Sequence, residues 1–336
     1  MGEQSAMKVH QEWIESSGGW WLEGRRCADP SRLNRRRRPV VIIPGYGMNS
    51  HVLRHHPSGP SLVEVLCGGG REVWTADLRG QGGSKKERGR GRFGLAELAL
   101  EDLPRVVEAA LSRTETEASA VDVIGCSLGA TVAYIYLGHH RQPGDHRVGA
   151  VVNIGGPLTW TRTHPLVRLA AQCPRLVGQV PIRGVRPLAA MMMPLIKRQP
   201  WLLSPYMNPS IIDLSKADEF LATIDDPNPG LSQEVARWIK ERQLVVRGVR
   251  IEEALQEVDV PIQCVIAGQD GIVTPDAALS VLDAIGSREV EVLEVGSREV
   301  PYAHADLFIS RGCDEVVFEP VRSWLDGISD EEKGDA

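Results

Sequence analysis

Aromatic residues are scarce in this chain of 336 residues: Phe, Tyr and Trp make up 5%, and eight of them are Trp. No apolar run approaches the roughly 18 residues that cross a bilayer as a helix, so no transmembrane segment is expected. The start of the chain shows no charged segment followed by an apolar run, and no secretory signal is expected. Met1-Gly2 begins like a myristoylation site, but Ala6 stands where such a site wants Ser or Thr. Six cysteines, at positions 27, 67, 126, 173, 264 and 313, form no C-x-x-C pair. A chain of this size needs no disulfide framework, so reduced thiols and a cytoplasmic location are the expectation. Excess positive charge is also missing. The net charge of −6 argues against the dense basic footprint of nucleic-acid binding. The basic run Arg35 to Arg38 adjoins the apolar run Val40 to Ile43 and reads as a solvated loop before a strand.

What is present is a globular composition, 42% hydrophobic and 24% charged, with length enough for a sizeable core. At roughly 150 residues per domain, about two folding units are expected. Trp13 to Arg25, split by Gly18-Gly19, reads as a hairpin. Short, nearly continuous apolar runs follow at Val40–Ile43, Glu72–Ala76, Val121–Ile124 and 149–154, closed by Pro44-Gly45, Asp77, Gly125 and Gly155-Gly156 in turn. Such runs suit strands buried on both faces of a parallel sheet. Helical patterns alternate with them: 95–111, with a kink expected near Pro104, and 128–137. Alternating strand and helix predict an α/β fold, a mostly parallel central sheet flanked by helices. The alternation stops after Pro157. A Pro-rich, largely helical stretch runs to about Val258. Strands then return at 262–267 and 289–295, with helices at 275–285 and 315–325. The organisation expected is an edge hairpin over 1–38, a first core half over 39–157, a helical cap inserted over 158–257, a second core half over 258–327, and a polar tail over 328–336.

The strongest chemical signal is Gly125-Cys126-Ser127-Leu128-Gly129, a G-x-S-x-G pattern between a strand and a helix. Ser127 would occupy a sharp, strained turn that lifts its hydroxyl above the sheet. The helix N-terminus would offer N–H donors to a developing oxyanion. A serine hydroxyl needs a base, and the base needs an orienting acid. His304 follows the last strand and is the base candidate. Asp270 follows the strand 262–267 and is the acid candidate. Asp276, at a helix start, and Asp306, on the same short loop as His304, are weaker rivals. A second oxyanion donor is expected from Pro44-Gly45-Tyr46-Gly47, so that the Tyr46 N–H pairs with the Leu128 N–H.

With these residues the chain resembles the α/β-hydrolase superfamily from about Arg38 to Leu325. Val-Ile-Ile-Pro-Gly-Tyr-Gly, Asp77-Leu78-Arg79-Gly80-Gln81-Gly82-Gly83-Ser84, Gly-Cys-Ser-Leu-Gly, Gly-Gln-Asp-Gly-Ile-Val and Ala-His-Ala-Asp carry the resemblance. Pro44-Gly45 departs from the His-Gly often found there. Asp306 and the stretch from Phe318 to Trp324 are similar to the acid-lipase and polyhydroxyalkanoate-synthase side. Those synthases carry Cys at the nucleophile position, where this chain has Ser127. The resemblance implies an esterase- or lipase-type serine hydrolase acting on a small-molecule ester, without cofactor or metal. An acyltransferase with the same triad, or a non-catalytic ligand-binding homologue, are the alternatives. Met191, Met192 and Trp201 belong to an apolar stretch that reads first as packing of the cap, and are candidates for lining an acyl pocket or touching a membrane surface. A metal held by His51, His55 and His56 is not expected, because no carboxylate or Cys cluster accompanies them.

Overall fold

The computed structural model describes residues 7–88, 91–142, 144–163, 165–179, 182–199 and 203–331. A central sheet is built from β1 (Lys8–Ser16), β2 (Trp20–Ala28), β3 (Val40–Ile43), β4 (Val73–Asp77), β5 (Lys85–Lys86), β6 (Val121–Cys126) and β7 (Val148–Ile154). A small hairpin, β8 (Val245–Val246) with β9 (Val249–Arg250), precedes the last two sheet strands, β10 (Ile262–Ala267) and β11 (Val290–Val295). The sheet order is β1-β2-β4-β3-β6-β7-β10-β11, with β5 pairing with β2. From β4 to β11 all pairs are parallel, whereas β1, β2 and β5 add an antiparallel edge.

The apolar runs behave as buried strands should. All four residues of β3 and all six of β6 are buried. Alternation sends Val41, Ile43 and Val123 to one face, against Val106 and Val107 of the helix Leu103–Arg113 and Ile135 of the helix Leu128–His139. Val40, Ile42 and Ile124 face the other side, with Leu62 and Leu66 of the helix Leu62–Gly68 and Val321 and Leu325 of the helix Glu319–Glu331. The chain between β7 and β10 leaves the sheet and supplies the helices Pro165–Ala170, Pro174–Val177, Val185–Arg198, Ala217–Leu221 and Pro229–Glu241. Even so, β10 pairs with β7 directly, with Ile262 opposite Val151. The inserted segment is not wholly helical, since β8 and β9 lie inside it.

Several local expectations change. Arg37 and Arg38 are not in a solvated loop. The Arg38 guanidinium is buried and donates to Asp122 Oδ1 at 2.5 Å, and Arg37 pairs with Asp326. Asp122 is fully buried in β6, and Arg38 with Arg71 supplies the charge and hydrogen bonds that let a carboxylate remain there. The helix expected over 95–111 is interrupted before Pro104, by a π-helical turn over Leu98–Asp102. Pro104 sits in the first turn of the next helix, where its missing N–H costs nothing. The turn places Asp102 to accept from the Arg79 backbone and guanidinium. The helix expected over 275–285 ends at Leu279, and the one over 315–325 begins as a π-helical turn, Asp314–Phe318.

Candidate active site

β3, β6, β7, β10 and β11 all end at one edge of the sheet, and the site is assembled there. Ser127 follows β6 directly. Its φ of 51° and ψ of −119° place a non-glycine residue in a strained turn. The turn is held because Ser127 N donates to Ile154 O at 2.8 Å and Leu128 begins a helix buried from Leu128 to Gly138. Cys126, the residue before it, is buried on β6. Burial pushes its thiol above the ordinary range, so it stays protonated and is no rival nucleophile.

His304 lies on the loop after β11, with Nε2 3.0 Å from Ser127 Oγ. Its Nδ1 is 2.5 Å from Asp270 Oδ2. Asp270 follows β10, and its other oxygen accepts from Ile272 N and Val273 N, both at 2.8 Å. With Nδ1–H donating to Asp270, Nε2 is left unprotonated and faces the serine hydroxyl. The imidazole stands between Tyr206 and Phe308. Of the rival acids, Asp276 is exposed at its helix start, 3.6 Å from Arg162.

Asp306 does not touch the imidazole but holds its loop. It accepts from Ala303 N at 2.7 Å and from Asn208 N at 2.8 Å. Burial pushes its pKa up to about 7 against those two donors. Because the folded value exceeds the ordinary one of 3.8, the stabilisation from this site is complete below pH 4. It is lost as pH rises through about 7. The stability advantage of the native chain over Asp306→Asn is therefore expected to be largest at about pH 4 and to shrink towards pH 8. Urea melts of both proteins across that range check this, and a gap that widens with pH would refute it.

Tyr46 and Leu128 border one cavity together with Ser127. Leu128 N belongs to the first turn of its helix and has no intrahelical partner to satisfy. Gly45 packs so close that a Cβ on it would lie 2.9 Å from Ser127 Cβ. The Gly45 carbonyl accepts from Gln81 Nε2 at 2.9 Å. In a trans peptide the carbonyl and N–H point in opposite directions, so the Tyr46 N–H is turned away from Gln81. In the sequence Gln81 stands out only as part of the Asp77 to Ser84 stretch that carries the family resemblance. Its amide also accepts from Leu78 N, which fixes the side chain under the loop that carries Tyr46. No spacing in the sequence ties position 81 to position 45.

Two apolar cavities meet at Ser127. One, of about 390 Å³, is bordered by His304, Met193, Met207, Phe220 and Phe308. The other, of about 300 Å³, is bordered by Leu128, Trp160, Val167, Ala171 and Ala236. Tyr46 and Ile272 border both. The Tyr46 hydroxyl is 2.8 Å from Ser232 Oγ, which anchors the ring between them. Met191 and Met192 line neither cavity. They lie on the outer side of the helix Val185–Arg198, exposed, while Met193 turns inward. Trp201 lies outside the described residues. Among the described residues no group of three His, Cys, Asp or Glu side chains is placed to hold a metal ion.

A family profile described as the alpha/beta hydrolase fold matches residues 38–300. No curated protein matches at a significant level. Solved structures do. An esterase from Exiguobacterium antarcticum is 16% identical, covers 94% of this chain and 100% of its own, and superposes with a TM-score of 0.61. A soluble variant of monoglyceride lipase from Saccharomyces cerevisiae is 15% identical, with 98% and 97% covered and a TM-score of 0.63. An esterase from a Rhodococcus species is 16% identical, with 95% and 99% covered and a TM-score of 0.59. At these identities the likeness is one of fold.

Proposed function

The chain belongs to the α/β-hydrolase fold family, and from that premise we propose that it is a serine hydrolase that cleaves carboxylic esters through an acyl-enzyme on Ser127. The observation that carries the proposal is the continuous chain of contacts from Ser127 Oγ to His304 Nε2 and from His304 Nδ1 to Asp270. Ser127 Oγ attacks the acyl carbonyl while His304 Nε2 takes its proton. The Tyr46 and Leu128 N–H groups receive the oxyanion. His304 then returns the proton to the leaving alcohol, and water, activated by the same imidazole, releases the acid.

The two cavities support a substrate with an apolar group on each side of the ester. The leaving oxygen must lie against His304 Nε2, so the cavity bordered by His304 takes the alcohol limb. The cavity bordered by Leu128 and Trp160 takes the acyl limb. Each buried methylene is worth about 0.8 kcal/mol, so kcat/KM for p-nitrophenyl esters is expected to rise about fourfold per carbon until the acyl cavity is full. Ala236→Phe, which narrows that cavity, is expected to lower kcat/KM about tenfold more for a decanoate than for an acetate. Ala189→Phe, in the other cavity, is expected to act on the length of the alcohol in alkyl acetates. Exchange of the two effects would reverse the assignment of limbs. A flat chain-length profile would remove the apolar substrate class altogether.

A further inference from the structure

The charge of this chain is unevenly placed. Between Asp145 and Asp213 there is no Asp or Glu, although the chain has 44. At the average density a stretch of that length would hold about nine. The same stretch holds eight Lys and Arg. A strongly basic segment is thus embedded in a chain of net charge −6. It roofs both cavities: Val167, Ala171 and Val177 border one, and Ala189, Met193 and Ile196 border the other.

The roof has a second apolar side. On the helix Val185–Arg198, Leu188, Met191, Met192 and Leu195 follow i, i+3, i+4, i+7 spacing and are exposed, Met191 at 72%. Leu169 and Leu176, on the short helices over the other cavity, are exposed at 70% and 60%. A helix apolar on both sides, with its inner face against a cavity and its outer face in water, has an unsatisfied surface. Arg168, Arg175, Arg183, Lys197 and Arg198 are exposed beside these residues. Two of the nearby carboxylates are engaged. Asp225 accepts from Arg186, and Asp226 accepts from the N–H groups of Gly184 and Val185. Asp218 and Glu219 begin the adjoining helix Ala217–Leu221.

We propose that this roof is a docking surface for an anionic lipid bilayer, with the exposed Leu and Met side chains entering the interface and the Arg and Lys side chains meeting lipid phosphates. Exposed apolar side chains in a basic segment that has no carboxylate of its own complement a negatively charged, apolar-cored surface. A neutral or cationic partner would have no use for that charge. Docking brings the roof of both cavities against the lipid from which an apolar ester would enter. This use of the surface rests on the ester-hydrolase reading, whereas docking itself does not.

The test is co-flotation of the Ser127→Ala chain, which leaves the lipid intact, with vesicles of phosphatidylcholine alone or with about one-third phosphatidylglycerol. Binding is expected only to the anionic vesicles, and it is expected to fall as salt rises from about 0.05 to 0.5 M. The triple variant Arg175→Glu, Lys197→Glu, Arg198→Glu is expected to lower the partition coefficient about 100-fold. With Ser127 present, its turnover of a short water-soluble ester is expected to be unchanged. Leu188→Asp with Leu195→Asp is expected to weaken binding even at low salt. Equal binding to both vesicle types, binding to neither, or sedimentation as a dimer broken by the leucine variants would each overturn the proposal. Loss of vesicle binding with esterase activity intact would remove the docking surface alone. Vesicle binding without any esterase activity would remove only the ester-hydrolase reading.

Discussion

Ser127→Ala is expected to lower kcat for ester cleavage by roughly 10⁵-fold and to abolish labelling by a fluorophosphonate, with the melting temperature unchanged. The argument is geometric. Ser127 Oγ is the hydroxyl held at hydrogen-bond distance from His304 Nε2, at the junction of both cavities. His304→Ala is expected to cost nearly as much, since the hydroxyl then has no base. The double variant should be little worse than either single one, because the two groups act as a unit. Asp270→Asn is expected to cost about 10⁴-fold. An amide could still accept from Ile272 N and Val273 N, but turning its NH₂ towards Nδ1 would stabilise the wrong tautomer of the imidazole. Full activity in any of the three single variants would refute the triad, and labelling that survives in Ser127→Ala would refute the nucleophile.

Gly129→Ala is expected to destabilise the chain by about 3 kcal/mol and to lower activity as well. A Cβ at Gly129 would lie 2.2 Å from Ile43 O and 2.9 Å from Pro44 O. Both are backbone atoms at the end of β3, so no side chain can rotate away. The helix Leu128–His139 would have to move off the sheet, and that motion would carry Ser127 and the Leu128 N–H with it. Gly125 is confined in the same way, since a Cβ there would lie 2.3 Å from Ala130 N. A lowered melting temperature together with reduced kcat is the expected pair of readouts. An unchanged melting temperature would show that β3 and the helix are less tightly joined than these distances require. The contrast with Ser127→Ala separates loss of chemistry from loss of support for it.

Ser127, Asp270 and His304, which the structure brings into contact, were legible as candidates because each follows a strand, and strand ends can be read from short apolar runs closed by Gly, Pro-Gly or Asp. Ser127 carried the further mark of flanking glycines. The parts that were hidden depend on which way a side chain turns. Met191, Met192 and Met193 are consecutive, so on a helix they point about 100° apart. Composition cannot say which one faces inward, and only Met193 does. Gln81 reaches Gly45 across two loops whose separation in the sequence is unrelated to their separation in space. Arg37 and Arg38 looked like a solvated basic run because their partners, Asp122 and Asp326, come from distant parts of the chain. The break before Pro104 was anticipated, but not that a π-helical turn would make it, because the buried pair of Arg79 and Asp102 imposes it.

On the ester-hydrolase proposal, the Tyr46 ring, pinned to Ser232 between the two cavities, makes the site a gauge of position. Both cavities are bordered by the same serine. Two positional isomers with the same atoms, differing only in where the ester sits along an apolar chain, would overfill one side and underfill the other. Discrimination then depends on the location of the bond within the molecule rather than on any functional group beside it. Such a site would sort isomers of equal polarity, a distinction that bulk partitioning into a lipid phase cannot make.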